Sequence, residues 1–225
     1  MKNNRYTLRA LARLLAYPDA QLRSELSALA DAIDQEAALP AARRSELRTL
    51  ALELQRSAPL DTEARYVETF DRGRATSLHL FEHVHGDSRD RGPAMIDLAQ
   101  TYEKAGLFLG PDELPDHLCV VLEFASTQPA ALAKSFLGEM AHILTAIFSA
   151  LLQRGSPYAA VLAAVLELSG HTAQAVTIAV DEAMDDSWAE PEAFGGCSTR
   201  GQAKPGEAQP IHIVRNTHAA PRVAA

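Results

Sequence analysis

The sequence predicts an all-α protein, a single-domain helical bundle followed by an irregular C-terminal tail. Apolar residues recur at spacings of three and four along most of the first 184 residues, as the buried stripe of a helix requires. No segment alternates apolar and polar residues strongly enough to predict a sheet. Glycine and proline separate the periodic segments. We therefore expect a helical domain over residues 1–184 and a Gly/Pro-rich, partly mobile tail over residues 185–225.

The first two predicted helices share one apolar stripe and are separated by Pro18 and Asp19. The members of the stripe are Leu8, Leu11, Leu15, Leu22, Leu26, Leu29 and Ile33. A third helix is predicted from Pro40 to Ser57, where leucines again recur every three or four residues. Pro59 is expected to end it.

The next two predicted helices lie on either side of a short polar segment. The fourth helix is expected to begin at Asp61, whose carboxylate can accept a hydrogen bond from a free amide of the first turn. It places Tyr66 and Phe70 four residues apart on its inner face. The helix after the polar segment is expected to use Asp90 as its N-cap and to end at Gly106.

Four further helices are predicted in the second half of the domain. One begins near Asp116 and continues through Phe124, and a long one is predicted over residues 129–151. The next covers residues 158–168. A final helix after Gly170 is expected to include Val176 and Val180.

Composition and charge exclude several classes of function. The formal net charge of -8 at pH 7 would repel a phosphate backbone, so nucleic acid is not an expected partner, whereas a basic peptide is compatible. The N-terminus lacks the apolar stretch of a signal peptide, and the longest apolar stretches fall short of a membrane span of about 20 residues. Cys119 and Cys197 are too few for a disulfide framework or a cysteine-based zinc cluster. We expect a cytoplasmic protein that does not insert into membranes.

The polar segment Phe70–Gly92 contains the strongest indication of an enzyme. His79, Glu82 and His83 match the H-x-x-E-H pattern of inverted zinc proteases. On a helix, the two histidines would lie one turn apart and could share a zinc ion, with the glutamate placed to deprotonate a bound water. Such a site needs a third protein ligand, which the motif does not specify. A zinc-dependent hydrolase is therefore the alternative function.

The other interpretation of this segment is a hydrogen-bonded network that braces helix connections or lines a groove. In that case the histidines and carboxylates pair with nearby arginines, namely Arg72, Arg74, Arg89 and Arg91. The chain contains no Walker A loop, no G-x-G-x-x-G turn and no G-x-S-x-G nucleophile elbow. We favour the network and expect no catalytic residue, bound metal or cofactor.

Three segments carry a resemblance to a known family. The longest segment resembles the signature of NarJ-type nitrate reductase assembly chaperones; it covers residues 66–74 and 77–92 and continues to Ala94 and Met95. The second segment is similar to the Pro-Asp-His element of the wider TorD-like superfamily; it covers residues 113–118 and leads to Leu122, Glu123 and Phe124. The third segment resembles the family's tail and covers residues 188–191 and 194–196.

The resemblance implies an all-helical chaperone that is not an enzyme. Such a protein binds the N-terminal segment of the apo catalytic (alpha) subunit of nitrate reductase and keeps it competent for insertion of the molybdenum cofactor and iron–sulfur clusters. Whether the chain forms a homodimer is left open by the sequence. We expect the partner peptide to enter a groove as a helix. The candidate peptide-binding residues are Tyr66, Phe70, Asp71, His79, Glu82, His83, Asp87, Asp116, His117 and Glu123.

Overall fold

The computed structural model describes residues 3–86, 88–111 and 113–177, and within these ranges the fold consists of ten α-helices and one 3-10 turn. The 3-10 turn, Arg74–Thr76, lies between α4 and α5. The helices are α1 Arg5–Leu14, α2 Ala20–Glu36, α3 Ala41–Arg56, α4 Pro59–Phe70, α5 Leu80–His85, α6 Arg91–Lys104, α7 Leu118–Thr127, α8 Ala130–Glu139, α9 Ala141–Gln153 and α10 Ala159–Leu168. The prediction of an all-α fold is confirmed.

Helix α1 lies at the centre of the bundle, where it packs against α2, α7 and α10. Leu8, Leu11 and Leu15 are 0% exposed, as the stripe at spacings of three and four predicts. Burying each such leucine contributes roughly 1.5–3 kcal/mol. Asp19, one of the two residues expected to separate the first two helices, is the N-cap of α2, and its Oδ1 accepts a hydrogen bond of 2.7 Å from the Leu22 amide.

Two predicted N-caps differ from the structure. Helix α4 begins at Pro59, two residues before Asp61, because proline suits the first turn of a helix, where its missing N–H needs no partner. Asp61 therefore lies in the first turn and is not the cap. Asp90 does occupy the N-cap position of α6, but its side chain makes no capping hydrogen bond and instead accepts one of 3.3 Å from the Ser88 hydroxyl.

The prediction of one long helix over residues 129–151 is wrong. Two helices, α8 and α9, meet at Met140 and are bent by 69°. The amide of Met140 bonds to the Leu137 carbonyl three residues back, so the i to i−4 ladder is interrupted there. The bend allows α8 to pack against α7 while both α8 and α9 contact α10.

The prediction of a final helix through Val176 is also wrong. Residues 171–177 contain no helix, and Val180 lies outside the described residues. Helix α10 ends at Leu168. Gly170, which follows the C-cap Ser169, has a positive φ of 87°, and the His171 amide bonds to the Leu166 carbonyl in the pattern of a Schellman cap. The amide of Val176 then donates a 3.0 Å hydrogen bond to Ser149 Oγ on α9.

The predicted tail, residues 185–225, lies outside the described residues, so the division of the chain at residue 184 stays a prediction. In the ranges that the structure covers, no single helix is long and apolar enough to cross a membrane. Helices α8 and α9 are long and apolar enough for this only if they are counted as one segment, and a bend separates them.

Candidate functional site

The two longest motif segments of the sequence cross each other where α5 and α7 begin. The Leu80 amide donates a 3.1 Å hydrogen bond to the Asp116 carbonyl, and the Leu118 amide donates one of 2.9 Å to the Leu78 carbonyl. His79 and His117 thereby form an isolated antiparallel bridge, and their rings contact edge to face with centroids 5.0 Å apart. These backbone hydrogen bonds thus join residues that are 36 and 40 positions apart in the chain.

The side chain of Asp116 is fully buried at this crossing. Its Oδ2 accepts a 3.1 Å hydrogen bond from the Phe81 amide, near the start of α5, and its Oδ1 lies 3.4 Å from Nδ1 of His79. The guanidinium of Arg91 reaches within 3.8 Å of the same carboxylate. A buried carboxylate is tolerated only with such compensation, because desolvation of an unpaired charge is costly.

Three pKa values at the crossing are displaced. Burial alone would raise the pKa of the Asp116 carboxyl, but hydrogen bonds from His79 and Phe81, with the charges of His79 and Arg91, hold that pKa below its usual range. The hydrogen bond to Asp116 raises the pKa of His79. Burial, assisted by the positive charge of His79, lowers the pKa of His117. Two adjacent histidines therefore favour opposite protonation states.

Glu82 and His83 join the same cluster through Ser77. The hydroxyl of Ser77 donates a 2.6 Å hydrogen bond to one carboxylate oxygen of Glu82, and Arg91 approaches the other at 3.4 Å. Nε2 of His83 lies 2.9 Å from the Ser77 carbonyl oxygen. We call this cluster the polar network, consisting of Ser77, His79, Glu82, His83, Arg91, Asp116 and His117.

The polar network gives the zinc hypothesis no support. His79 precedes α5 in an extended conformation, so it does not share a helical face with His83. Because a carbonyl oxygen can only accept, Nε2 of His83 carries a proton and donates to Ser77, which leaves that nitrogen without a lone pair for a metal. Among the residues that the structure describes, no group of three or more His, Cys, Asp or Glu side chains could hold a metal ion.

Two of the predicted peptide-binding residues, Tyr66 and Phe70, lie in a buried aromatic cluster and not in the polar network. Their rings pack against Tyr158 with centroids 6.1 and 5.0 Å apart, and Tyr17 contacts Tyr66 at 5.5 Å. The hydroxyl of Tyr66 donates a 2.8 Å hydrogen bond to the Leu15 carbonyl, and burial raises the pKa of Tyr66. These positions tie α4 to α1 and α10.

The remaining predicted residues are exposed or outside the description. Asp71 is exposed just after α4, and its charge acts on His117, so it lies at the border of the polar network. Glu123 is exposed on α7, and Asp87 lies outside the described residues. The set of ten therefore divides into five network residues, two buried aromatics, two exposed acids and one undescribed residue.

Sequence reasoning did not select Ser77 or Arg91 as binding residues. Arg91 was one of four arginines expected in the network, and it is placed there, whereas Arg72 pairs with Glu68 on α4 at 3.2 Å. Ser77 could have been selected from its position two residues before His79, because a serine hydroxyl at that spacing can bond to the backbone. In the structure it accepts a 3.2 Å hydrogen bond from the His79 amide.

The pH dependence of stability should distinguish His79 from His117. Because the pKa of His79 is raised, its protonated form stabilises the fold below the unfolded-state pKa of about 6.5, and this contribution is lost as pH rises through the folded-state pKa. The lowered pKa of His117 has the opposite effect on stability. Below about pH 6.5 the unfolded chain binds a proton at this residue more readily than the folded chain does, so protonation of His117 destabilises the fold. We expect His79→Gln to cost more stability at about pH 5.5 than at about pH 8.5 in urea unfolding.

The matched variant His117→Gln should show the reverse trend: it should lose less stability at the acidic pH than at the basic pH, or even become more stable there. Parallel pH profiles for the two variants would contradict the opposite protonation preferences described above.

Comparisons with known proteins agree with this architecture. The crystal structure of an Archaeoglobus fulgidus protein assigned to redox enzyme maturation superposes with a TM-score of 0.51 at 21% identity, over 72% of this chain and 91% of that one. The described residues therefore form an all-helical fold, and it is the fold that this maturation protein also has. More specifically, the family model "Nitrate reductase delta subunit" matches residues 19–164, and the chain belongs to that family.

Two relatives show how far the similarity extends. The Escherichia coli (strain K12) "Nitrate reductase molybdenum cofactor assembly chaperone NarJ" is 43% identical over 180 residues, which is 79% of this chain and 76% of the relative. The Bacillus subtilis (strain 168) "Probable nitrate reductase molybdenum cofactor assembly chaperone NarJ" is 32% identical over 164 residues, or 71% of this chain and 86% of the relative.

Proposed function

We propose that this protein is an assembly chaperone for nitrate reductase. It binds the apo catalytic subunit through that subunit's N-terminal segment and supports insertion of the molybdenum cofactor, and it does so in the cytoplasm. The observation that carries the proposal is the 43% identity, over 79% of the chain, to a relative that is named a nitrate reductase molybdenum cofactor assembly chaperone. The proposal includes no chemical step performed by the chain itself.

The geometry of the polar network supports a binding role over a catalytic one. The Ser77 hydroxyl donates to Glu82 and accepts from a backbone amide, so no histidine is placed to remove its proton. Nε2 of His83 is occupied by a backbone carbonyl. The pairing of His79 with Asp116 instead fixes the crossing of the two motif segments, which is the task of a positioning network.

The partner segment contacts the exposed border of this network. Asp71 and Glu123 present carboxylates to solvent, and His79 and Glu82 are partly exposed. The chain carries a net charge of -8, so a basic, amphipathic helix is attracted over long range and loses affinity as salt screens that attraction. The buried residues Tyr66, Phe70 and Asp116 act on binding indirectly, through the position of the surface.

The test is a fluorescence anisotropy titration of the full chain with a labelled peptide from the N-terminus of the host's nitrate reductase catalytic subunit. We expect saturable binding at low salt that weakens as salt is added. The double variant Asp71→Asn/Glu123→Gln should weaken binding by about 3- to 10-fold and reduce the salt dependence, because two exposed charge contacts are lost.

The double variant Glu103→Gln/Glu139→Gln is the matched control, since it removes the same number of exposed negative charges from α6 and α8. It should bind the peptide like the unmodified protein. Absence of binding at low salt would refute the chaperone function, whereas equal loss in both double variants would refute only the placement of the binding surface.

A further inference from the structure

Helix α6 covers one edge of the bundle with little burial of its own. Its main neighbour is the short helix α5, and of its fourteen residues only Leu98 and Tyr102 are buried. Both side chains belong to a small apolar cluster with Phe124 that is separate from the main hydrophobic core. A helix held by so few buried contacts opens locally at a lower free energy than the helices of the core do.

The surface beneath α6 is a row of apolar side chains from three other helices. The ring of Tyr102 packs on Phe124 of α7 with centroids 4.6 Å apart, and Phe124 packs on Phe136 of α8 at 5.0 Å. Phe81 of α5 and Val120 of α7 pack against the same cluster. Displacement of α6 would uncover this row, which we call the aromatic row. Such a row suits the apolar face of an amphipathic helix.

The two ends of α6 are fixed by polar contacts. At its start, Nη2 of Arg91 lies 3.4 Å from a carboxylate oxygen of Glu82 and 3.8 Å from one of Asp116. These distances exceed the roughly 2.7–2.9 Å of a strong charge-assisted hydrogen bond, and Arg91 and Glu82 are both partly exposed, so the pairing is weak. Near its end, the Tyr102 hydroxyl donates a 2.8 Å hydrogen bond to the Pro115 carbonyl.

The spacing of these contacts shows which ligand the covered surface accepts. Arg91, Leu98 and Tyr102 are seven and four residues apart in turn, so they lie on one face of the helix. That face carries a cation followed by two apolar side chains, as a basic amphipathic helix does. Helix α6 therefore has the chemistry expected of the partner segment.

We propose that α6 is a displaceable lid that occupies the partner's site in the free chaperone. The incoming helix of the catalytic subunit places a basic side chain on Glu82 in place of Arg91, and its apolar side chains seven and eleven residues further on cover the aromatic row in place of Leu98 and Tyr102. This inference rests on the proposed function for the identity of the partner.

The partner has contacts that the lid lacks. Among the described residues, Arg91 pairs with Glu82 and Asp116, whereas the exposed carboxylates of Asp71 and Glu123 remain for further basic residues of the partner. The closed lid lowers the apparent affinity by the fraction of molecules that are open. A partner with weak charge complementarity is thereby excluded, because it gains too little to displace α6.

The first test is hydrogen–deuterium exchange of the full chain with and without a saturating amount of the catalytic subunit's N-terminal peptide. Binding ordinarily slows exchange at the covered surface, but displacement of the lid predicts faster exchange of the α6 amides in the complex. Exchange in α7 and α8, which the partner would cover, should stay unchanged or become slower. Slower or unchanged exchange of the α6 amides in the saturated complex would overturn the proposal.

The second test compares two arginines in the anisotropy titration. Arg91→Ala releases the start of the lid and should tighten peptide binding by about 2- to 5-fold, as expected for the loss of a partly exposed ion pair that favours the closed state. Arg89→Ala removes the same charge from an exposed position outside α6 and should have a smaller effect. Weaker binding by Arg91→Ala, or equal effects of the two variants, would contradict a lid that competes with the partner.

The third test needs no peptide, so it separates failure of the lid from failure of the proposed function. Tyr102→Phe and Tyr66→Phe each remove a 2.8 Å hydrogen bond from a buried tyrosine hydroxyl to a backbone carbonyl. In the free chain, Tyr102→Phe should accelerate exchange of the α6 amides by about 2- to 10-fold, whereas Tyr66→Phe should leave them unchanged because α6 opens without the rest of the fold. Equal acceleration by both variants would mean that α6 opens only when the whole chain unfolds, and the lid would be refuted whether or not the peptide binds.

Discussion

Replacing Asp116 with alanine is expected to lower the free energy of unfolding by about 3 kcal/mol. The side chain is fully buried and accepts hydrogen bonds from the Phe81 amide and from His79, so its removal leaves buried donors without an acceptor. The loss lies at the lower end of the usual range of about 3–5 kcal/mol for a broken buried pair, because His79 and Arg91 keep some contact with solvent. Urea unfolding near neutral pH measures it.

The pH dependence of this loss has a defined sign. The pKa of Asp116 is lowered in the folded state, so its stabilising contribution is present above the unfolded-state pKa and disappears as pH falls through the folded-state value. The difference between the alanine variant and the unmodified chain should therefore shrink in acid. Asp71→Ala, an exposed carboxylate beside the same network, should change stability by no more than about 0.5 kcal/mol at any of these pH values. Similar losses for both aspartates would contradict the buried role of Asp116.

Leu80→Ala should produce a loss of similar or larger size, about 2–5 kcal/mol. Leu80 is the first residue of α5, is 0% exposed and belongs to the main hydrophobic core. The substitution removes the transfer free energy of the buried side chain and leaves a cavity that its neighbours fill only in part. Its amide hydrogen bond to the Asp116 carbonyl is retained, so the variant isolates packing from hydrogen bonding at the crossing.

Val84→Ala is the control for that experiment, since Val84 lies on the same short helix but is 52% exposed. Its effect in urea unfolding should stay within about 0.5 kcal/mol. If the two variants lose equal stability, then α5 is held by its own helical propensity and not by insertion of Leu80 into the core.

The helical elements could be predicted largely from the sequence because the periodicity of a helix is local. Spacings of three and four residues identify the buried face of α1 and α2 without knowledge of what covers it, and Leu8, Leu11 and Leu15 are indeed completely buried. The same method failed between residues 129 and 151. The apolar pattern there continues through Met140, and the bend is set by what α8 and α9 pack against.

The candidate site was likewise predictable from the sequence only in part. The motif segments could be selected from the sequence, and five of the selected residues do meet in the polar network. Their burial could not be predicted: Asp116 is completely enclosed, whereas Asp71 is exposed, although both are aspartates within conspicuous polar motifs. Tyr66 and Phe70 belong to a different cluster because their partners, Tyr17 and Tyr158, come from distant parts of the chain.

By itself, then, the sequence determined the all-α class, most helix positions and the family resemblance, since each of these depends on residues close together in the chain. Only the tertiary structure decided that α5 and α7 begin at one shared crossing, which of the nine described candidate residues reach solvent, and that a groove lies beside Tyr158. The physical reason is that burial and pairing depend on contacts between distant segments, such as the hydrogen bond between Tyr66 and Leu15, which are 51 residues apart.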